Sequence, residues 1–195
     1  MADLITLATY KDAEGLSTPK EDVRINALIP SVSELVKTYC GNSFVDFHSS
    51  NKTETFDIDW STHIIQLTES PVNTIVSVQE RTAYNNTYTT LTTGAYEFSL
   101  DTKTDSILRT TSSGYKTWAP GVGAVKVVYT AGYSDVPADL KLAVIDLLTY
   151  YLKDEYKERR TMQGASIQNA ASTSQTNNVG FPDHIKRVLD LHKNF

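Results

Sequence analysis

The strongest hydrophobic periodicity in the chain lies between residues 137 and 157. At about 100° per residue, Leu140, Val144 and Leu147 fall on one face of a helix. Asp139 and Asp146 mark a narrow polar stripe on the opposite face. Apolar side chains occupy roughly 60% of the circumference, which one layer of domain core does not usually cover. We therefore expect contacts on two sides of this helix; the alternative is the central helix of a larger domain.

The start of this helix is marked by three residues. Gly132 permits a turn with positive φ, Asp135 places an acceptor near the helix entrance, and Pro137 suits the first helical position, where no N–H is needed.

Two helical segments are predicted before residue 50. A short helix over residues 4–14 is closed by Gly15. Residues 18–21 form a capping box with proline at the first helical position, and they open a second helix that ends at Gly41. Its first turns carry Val23, Ala27 and Leu28. Pro30 removes a backbone donor, so we expect a kinked helix or two short ones.

Between residues 52 and 131 the apolar positions change to a period of two, with many threonines. The predicted strands cover residues 53–58, 63–67, 72–80, 87–91, 96–100, 107–108 and 124–130, with a hairpin turn at 121–123. The sequence therefore predicts an α+β fold, in which a small helical bundle from both chain ends carries an antiparallel β insertion in the middle.

The expected domain organisation follows these changes of pattern. Residues 1–50 hold the N-terminal helices, 51–131 the β insertion, and 132–160 the long central helix. Residues 161–180 have almost no apolar anchors, which is typical of a flexible loop or of a segment ordered by a partner. Residues 181–195 form a last helix opened by Pro182.

Composition narrows the functional classes. The chain has 195 residues, 40% of them hydrophobic, and a formal net charge of −5 with scattered cations, which argues against an extended nucleic-acid surface. The only cysteine, Cys40, excludes an internal disulfide and a multi-cysteine zinc site. The N-terminus does not have the pattern of a secretory signal, and no apolar run of about 18 residues occurs. We expect a cytoplasm-like compartment and no membrane.

Residues that could carry chemistry are few. Asp57, Asp59 and His63 could in principle bind a divalent ion or act as acid and base in a hydrolase, but further ligands are missing and a solvated strand face explains them better. No cofactor motif is present. A second alternative is a β-sandwich binding module for carbohydrate or a protein ligand, on a helical base. Its stacking surface would be Trp60, Tyr84, Tyr88, Tyr96, Tyr115 and Trp118.

The order of these segments resembles a known family. An N-terminal helix pair ends in residues 39–44, YCGNSF, and the β insertion closes on residues 127–133, VVYTAGY. Residues 136–143, VPADLKLA, then open the long helix, and Phe181-Pro182 leads the last one. This arrangement looks like the head-tail connector (adaptor) proteins of tailed bacteriophages. The most specific part is a motif consisting of Tyr129, Gly132, Tyr133, Pro137 and Leu140.

The resemblance implies a non-enzymatic virion protein without cofactor, assembled in the host cytoplasm and located at the head-tail junction. It implies a homo-oligomeric ring of twelve copies that docks on the portal protein, meets tail-side completion or tail proteins, and lets genomic DNA pass without sequence-specific binding. The subunit interface would then use Ile145, Leu148, Leu152 and Tyr156. Portal docking would use Phe181, Ile185, Val188 and Leu189.

Overall fold

The computed structural model describes residues 2–85, 87–93, 96–153, 159–162, 165–168 and 182–193. The chain divides into two compact units. The helical unit contains Met1–Gly41 and Val136–Lys193, and the β unit contains Asn42–Asp135. Helices from both chain ends and antiparallel sheets in the middle confirm the predicted α+β fold.

Among its described residues, the helical unit has four helices: α1 (Leu7–Glu14), α2 (Asp22–Cys40), α3 (Ala138–Leu152) and α4 (Asp183–Leu191). Helix α2 packs against α1, α3 and α4, and α3 also packs against α4. The core consists of one apolar stripe from each long helix and the inner side of α4. Its members include Ile25, Ile29, Val32, Val36, Leu140, Val144, Leu147, Leu148, Ile185 and Leu189.

Helix α1 begins and ends as capping rules require. The Thr6 hydroxyl accepts a hydrogen bond from Thr9 N at 3.2 Å, which satisfies one of the free donors of the first turn. Gly15 follows the last turn in the left-handed conformation, at φ +65°. The predicted end of this helix is confirmed, and the start lies three residues later than expected.

Helix α2 differs from the prediction at two points. It starts at Asp22, and its N-cap residue Glu21 makes no side-chain capping bond. It also runs through Pro30 without a break. Pro30 and Asn26, whose carbonyl lies one turn earlier, are both exposed, so water can satisfy the group that the proline leaves unbonded. The buried stripe continues on both sides of Pro30, and its packing holds one helix together.

Helix α3 is shorter than predicted, because it ends at Leu152. Lys153 caps it, and its N–H donates to Thr149 O at 2.9 Å. The apolar arc also ends here, since the sequence after Leu152 becomes predominantly charged. Residues 154–158, the rest of the predicted helix, lie outside the described residues.

In the part of the β unit that the structure describes there are two antiparallel sheets, with all of the predicted strands and one additional short strand. The first has the order β1-β8-β3-β4 and the second β2-β6-β5, with β7 paired to β6. The strand bounds are β1 Lys52–Ile58, β2 Ile64–Gln66, β3 Val72–Glu80, β4 Thr89–Thr90, β5 Phe98–Asp101, β6 Ser106–Thr111, β7 Gly114–Tyr115 and β8 Gly121–Ala131. The core of this unit is built on β8, where Val125, Val127 and Tyr129 are fully buried.

Residues Gly121–Gly123 begin β8 instead of forming the expected hairpin turn. The backbone of Gly123 is held by its neighbours: its N–H donates to Asp57 Oδ1 at 2.6 Å, and its carbonyl accepts from Arg81 Nε at 2.9 Å. A Cβ atom at this position would lie 2.5 Å from Arg81 Nη2, and φ is +58°. The glycine therefore lets an arginine approach the strand closely.

A third, two-stranded pairing lies within the helical unit. Strand β9 (Arg159–Met162) is antiparallel to β10 (Ala165–Gln168). This pairing reaches into the beginning of residues 161–180, and it does not require the apolar anchors that the segment lacks. The expectation of a flexible or partner-ordered segment stays a prediction. Residues 169–181 are outside the described ranges.

Candidate functional site

The motif residue Gly132 connects the two ends of the β unit. Its φ is +97°, as expected for the predicted turn, and a Cβ atom there would lie 2.1 Å from the Phe44 carbonyl oxygen. The next residue, Tyr133, donates its backbone N–H to the same oxygen at 2.7 Å. Phe44 is buried and has φ +60°, with its N–H bonded to Asn42 Oδ1. The segment entering the β unit is thus fixed to the segment leaving it. We call this contact the clasp.

The motif residue Tyr129 is the centre of a polar network behind the clasp. Its buried hydroxyl donates to Glu54 Oε1 at 2.8 Å and accepts from Glu69 N at 3.3 Å. Lys52 Nζ lies between the two carboxylates, 2.9 Å from Glu54 and 2.8 Å from Glu69. Glu69 also accepts from both the backbone N–H and the hydroxyl of Ser43, at 2.8 Å each. Every charged group in this network is therefore paired.

The ionisation of the network follows from these contacts. Burial alone would raise the pKa of Glu54, but hydrogen bonds from Thr68, Lys52 and Tyr129 outweigh burial and lower it. Burial, reinforced by Glu54, raises the pKa of Tyr129. For Lys52, hydrogen bonds to Glu69 and Glu54 outweigh burial and raise the pKa. At neutral pH Glu54 is therefore ionised, and Lys52 and Tyr129 are protonated.

The other two motif residues start α3. Pro137 occupies the N-cap position instead of the first helical position, and its carbonyl accepts from Lys141 N at 2.9 Å. Leu140 is the first fully buried side chain of the helix. The motif therefore ends the β unit and begins the main helix of the helical unit, which is a structural role.

The residues predicted for the subunit interface differ in their exposure within the single chain. Leu148 is 0% exposed within the single chain, so it belongs to the core and offers no surface to another copy. Ile145 is 9% exposed and Leu152 is half-buried. Tyr156 lies outside the described residues. Among the large apolar side chains of α3, Leu142 is exposed, at 60%.

The apolar side of α4, expected to dock on the portal, is also largely internal. Ile185 and Leu189 are 2% and 0% exposed, and Val188 is half-buried. The Cys40 thiol donates to Leu189 O at 3.6 Å, and His192 Nε2 lies 2.8 Å from Asp139 Oδ2. These contacts fix α4 to α2 and α3. Phe181 is not among the described residues, and docking through it stays a prediction.

The sequence interpretation missed two exposed surfaces of the helical unit. One is a groove along α2, and the other is the outer face of α4 with Arg187 and Leu191. The sequence could have predicted the outer face of α4, because residues 187 and 191 lie one turn apart and away from Ile185 on the helix. For α2 it was not, because Val23 looked like a core residue and is 84% exposed.

Of the residues considered for chemistry, Asp57 and Asp59 line one pocket, whose lining does not include His63. Asp57 is occupied by Gly123 N, and the His63 ring lies against Tyr115, with ring centroids 4.9 Å apart. Within the described ranges, no group of three His, Cys, Asp or Glu side chains could hold a metal ion. Burial raises the pKa of the Cys40 thiol to about 12, so it is protonated at neutral pH.

The proposed stacking surface is partly internal. Trp118 is buried, and Tyr88 is half-buried with its hydroxyl bonded to Gly123 O at 2.6 Å. The exposed members are Trp60, Tyr84, Tyr96 and Tyr115. They lie in separate connections or short strands of the unit.

Comparison with known proteins shows the family of this chain. The family model described as Head completion protein matches residues 3–195. The chain belongs to the head completion protein family. As a member of this family, it is a non-enzymatic structural component of a virion, so the hydrolase alternative is excluded. Across the described helices, none is long and apolar enough to span a membrane.

Relatives of this family member agree in sequence and in fold. The head completion protein of Escherichia phage T5 is 31% identical over 75 residues, which cover 38% of this chain and 41% of that relative. The neck of an empty gene transfer agent particle, computed with C6 symmetry, matches with a TM-score of 0.60 at 16% identity, over 98% of this chain and 90% of that chain. The neck of the native particle, computed with C12 symmetry, gives 0.59 at 15% identity, over 100% and 94%.

Proposed function

We propose that this head completion protein is the head-tail connector that docks on the portal as a ring of twelve copies and extends the DNA channel toward the tail. The observation that carries the proposal is the family match over residues 3–195. It covers both units, so the function is assigned to the whole chain and not to the β unit alone.

The ring is supported by the fold and by surface physics. The fold is shared with a neck whose structure was computed with C12 symmetry. A head-to-tail interface closes into a ring when the rotation between copies closes, and otherwise it grows into a filament. The helical unit leaves Leu142 and Leu191 exposed at 60% and 79%, and such side chains are candidates for burial between copies.

The remaining partners follow from position in the particle. We propose the portal protein on one side of the ring and tail-side completion or tail proteins on the other. Phe181 and the half-buried Val188 stay candidates for portal docking. The formal net charge of −5 suits a channel that lets genomic DNA slide without sequence-specific binding, because weak attraction does not trap it. The ring would be assembled in the host cytoplasm and reside at the head-tail junction.

A binding experiment tests this function. Purified protein is mixed with the cognate portal, and the products are sized by light scattering and imaged by negative-stain microscopy. We expect a portal complex carrying a ring of this protein. If no complex forms and the protein instead binds strongly to a glycan array, the carbohydrate-binding alternative replaces the connector. The exposed Trp60 and Tyr84 are the observation that favours that alternative.

A further inference from the structure

A groove on the outer side of α2 carries unpaired negative charge. It has a volume of about 550 Å³, and its lining includes Asp3, Pro30, Ser31 and Glu34. The lysine in its wall, Lys37, is 6% exposed and donates to Ala2 O at 2.7 Å, so it offers little charged surface to a partner. Within the part of the chain that the structure describes, Asp3 and Glu34 take part in no hydrogen bond or ion pair. We call this surface the α2 groove.

The outer face of α4 has the opposite character. His184, Arg187 and Leu191 are exposed and lie at helical spacing, while Ile185 and Leu189 point into the core. Leu191 is 79% exposed, and Arg187 has no partner among the described residues. We call these three residues the α4 outer face. It offers a cation next to an uncovered apolar side chain.

The two surfaces have matching spacing. Pro30 and Glu34 lie about one turn apart on α2, and Arg187 and Leu191 lie about one turn apart on α4. The two residues of each pair are separated by about 6 Å along the helix axis. In an antiparallel crossing, Arg187 faces Glu34 while Leu191 covers Pro30. The pair would place opposite charges together and bury the exposed leucine against an apolar ring.

We infer that the α2 groove of one copy receives the α4 outer face of the next copy. This inference rests on the proposed ring. A like-with-like contact is disfavoured, because two α4 outer faces bring Arg187 against Arg187, and two grooves bring Glu34 against Glu34. A copy cannot use its own α4 outer face, because Leu189 and the Cys40 contact hold the inner side of α4 against the same core. The contact is therefore heterologous, as a ring requires.

A charge exchange between the two surfaces tests the inference. Arg187→Glu and Glu34→Lys are each expected to abolish the ring seen by mass photometry, alone or on the portal, because each places like charges at the contact. The combined variant restores opposite charges and is expected to recover the ring. Lys20→Glu and Asp12→Lys are matched controls, since they reverse exposed charges outside both surfaces and should leave the ring intact.

The outcomes separate this inference from the proposed function. If the wild-type protein forms no ring with or without the portal, the proposed function fails. If the wild-type ring forms and both single variants form it equally well, the inference is overturned and the connector function stands. Loss in both single variants without recovery in the combined variant also overturns it, because the surfaces then do not touch each other. Circular dichroism of each variant must match the wild type, which shows that the fold is retained.

Discussion

The hydrogen-bonded pair Phe44 and Tyr133 joins the entrance and the exit of the β unit, with Tyr133 N donating to Phe44 O at 2.7 Å. Gly132 allows this contact, because a side chain at residue 132 would occupy the position of the Phe44 carbonyl. The family motif can thus be explained by backbone geometry, and the stability of the clasp can be measured.

Gly132→Ala is expected to destabilise the protein by about 3 kcal/mol or more, because it combines a backbone clash with an unfavourable φ. The measurement is the free energy of unfolding in urea. Gly15→Ala is the matched control: its φ is +65°, but nothing lies within 4 Å of the added Cβ atom. It should cost about 1 to 2 kcal/mol, which is the conformational penalty alone. Equal losses for the two variants would argue against the clasp.

The Glu54 network predicts a loss of stability in acid. The pKa of Glu54 is lowered in the folded protein. The stability that Glu54 contributes is therefore complete above its unfolded pKa of about 4.3, and it is lost as the pH falls through the folded pKa. Glu54→Gln should therefore be less stable than the wild type at pH 7, and the difference should shrink toward pH 2. Urea unfolding between pH 7 and pH 2 measures this. Glu34→Gln, at an exposed position, is the control and should leave the free energy of unfolding at pH 7 within about 0.5 kcal/mol of the wild type.

The position of α4 predicts a large loss of stability for one leucine and almost no change for another leucine on the same helix. Leu189→Ala should destabilise the isolated protein by about 2 to 5 kcal/mol, because its side chain is 0% exposed. Leu191→Ala should change the free energy of unfolding by less than about 0.5 kcal/mol, because its side chain is 79% exposed. Thermal unfolding of both variants checks the pair. A Leu189→Ala variant as stable as the wild type would indicate that the inner side of α4 is a docking surface and not part of the core.

Helix α3 gives a second matched pair. Ile145→Asp should unfold the isolated protein or cost more than about 3 kcal/mol, since it removes a side chain that is 9% exposed and places a charge there. Leu142→Asp, at a residue 60% exposed, should leave the monomer folded. Circular dichroism and urea unfolding distinguish the two. A folded Ile145→Asp monomer that cannot form rings would support the original assignment of Ile145 to the subunit interface.

Local periodicity carried much of the fold prediction. Strand β3 has the predicted limits, Val72–Glu80, because its β-branched residues, among them Val72, Ile75 and Val78, favour an extended chain. Burial along β3 does not alternate strictly, since its register against β8 shifts at two points. The turn at Gly132 was predicted from its residue type. Pro30 shows the limit of local rules: the missing donor is tolerated because the packed stripe of α2 extends on both sides of it.

The candidate interfaces were harder to predict, for a physical reason. An apolar helix face has the same sequence pattern whether its own chain or another copy covers it. Leu148, Ile185 and Leu189 were assigned to partners, but their own unit buries them. Only the packing of the helices shows which apolar residues, such as Leu142 and Leu191, are left over.

The clasp also has a consequence for how such a protein can change through evolution or engineering. Because Phe44 and Tyr133 are held at hydrogen-bonding distance, the 88 residues between them form a closed segment that starts and ends at one place. Strands can be added to or removed from that segment while the chain still leaves α2 and returns to α3 through the same two points. The size and the surface of the β unit can therefore change without altering the entry and exit points of the chain, as long as Phe44, Gly132 and Tyr133 keep their contact.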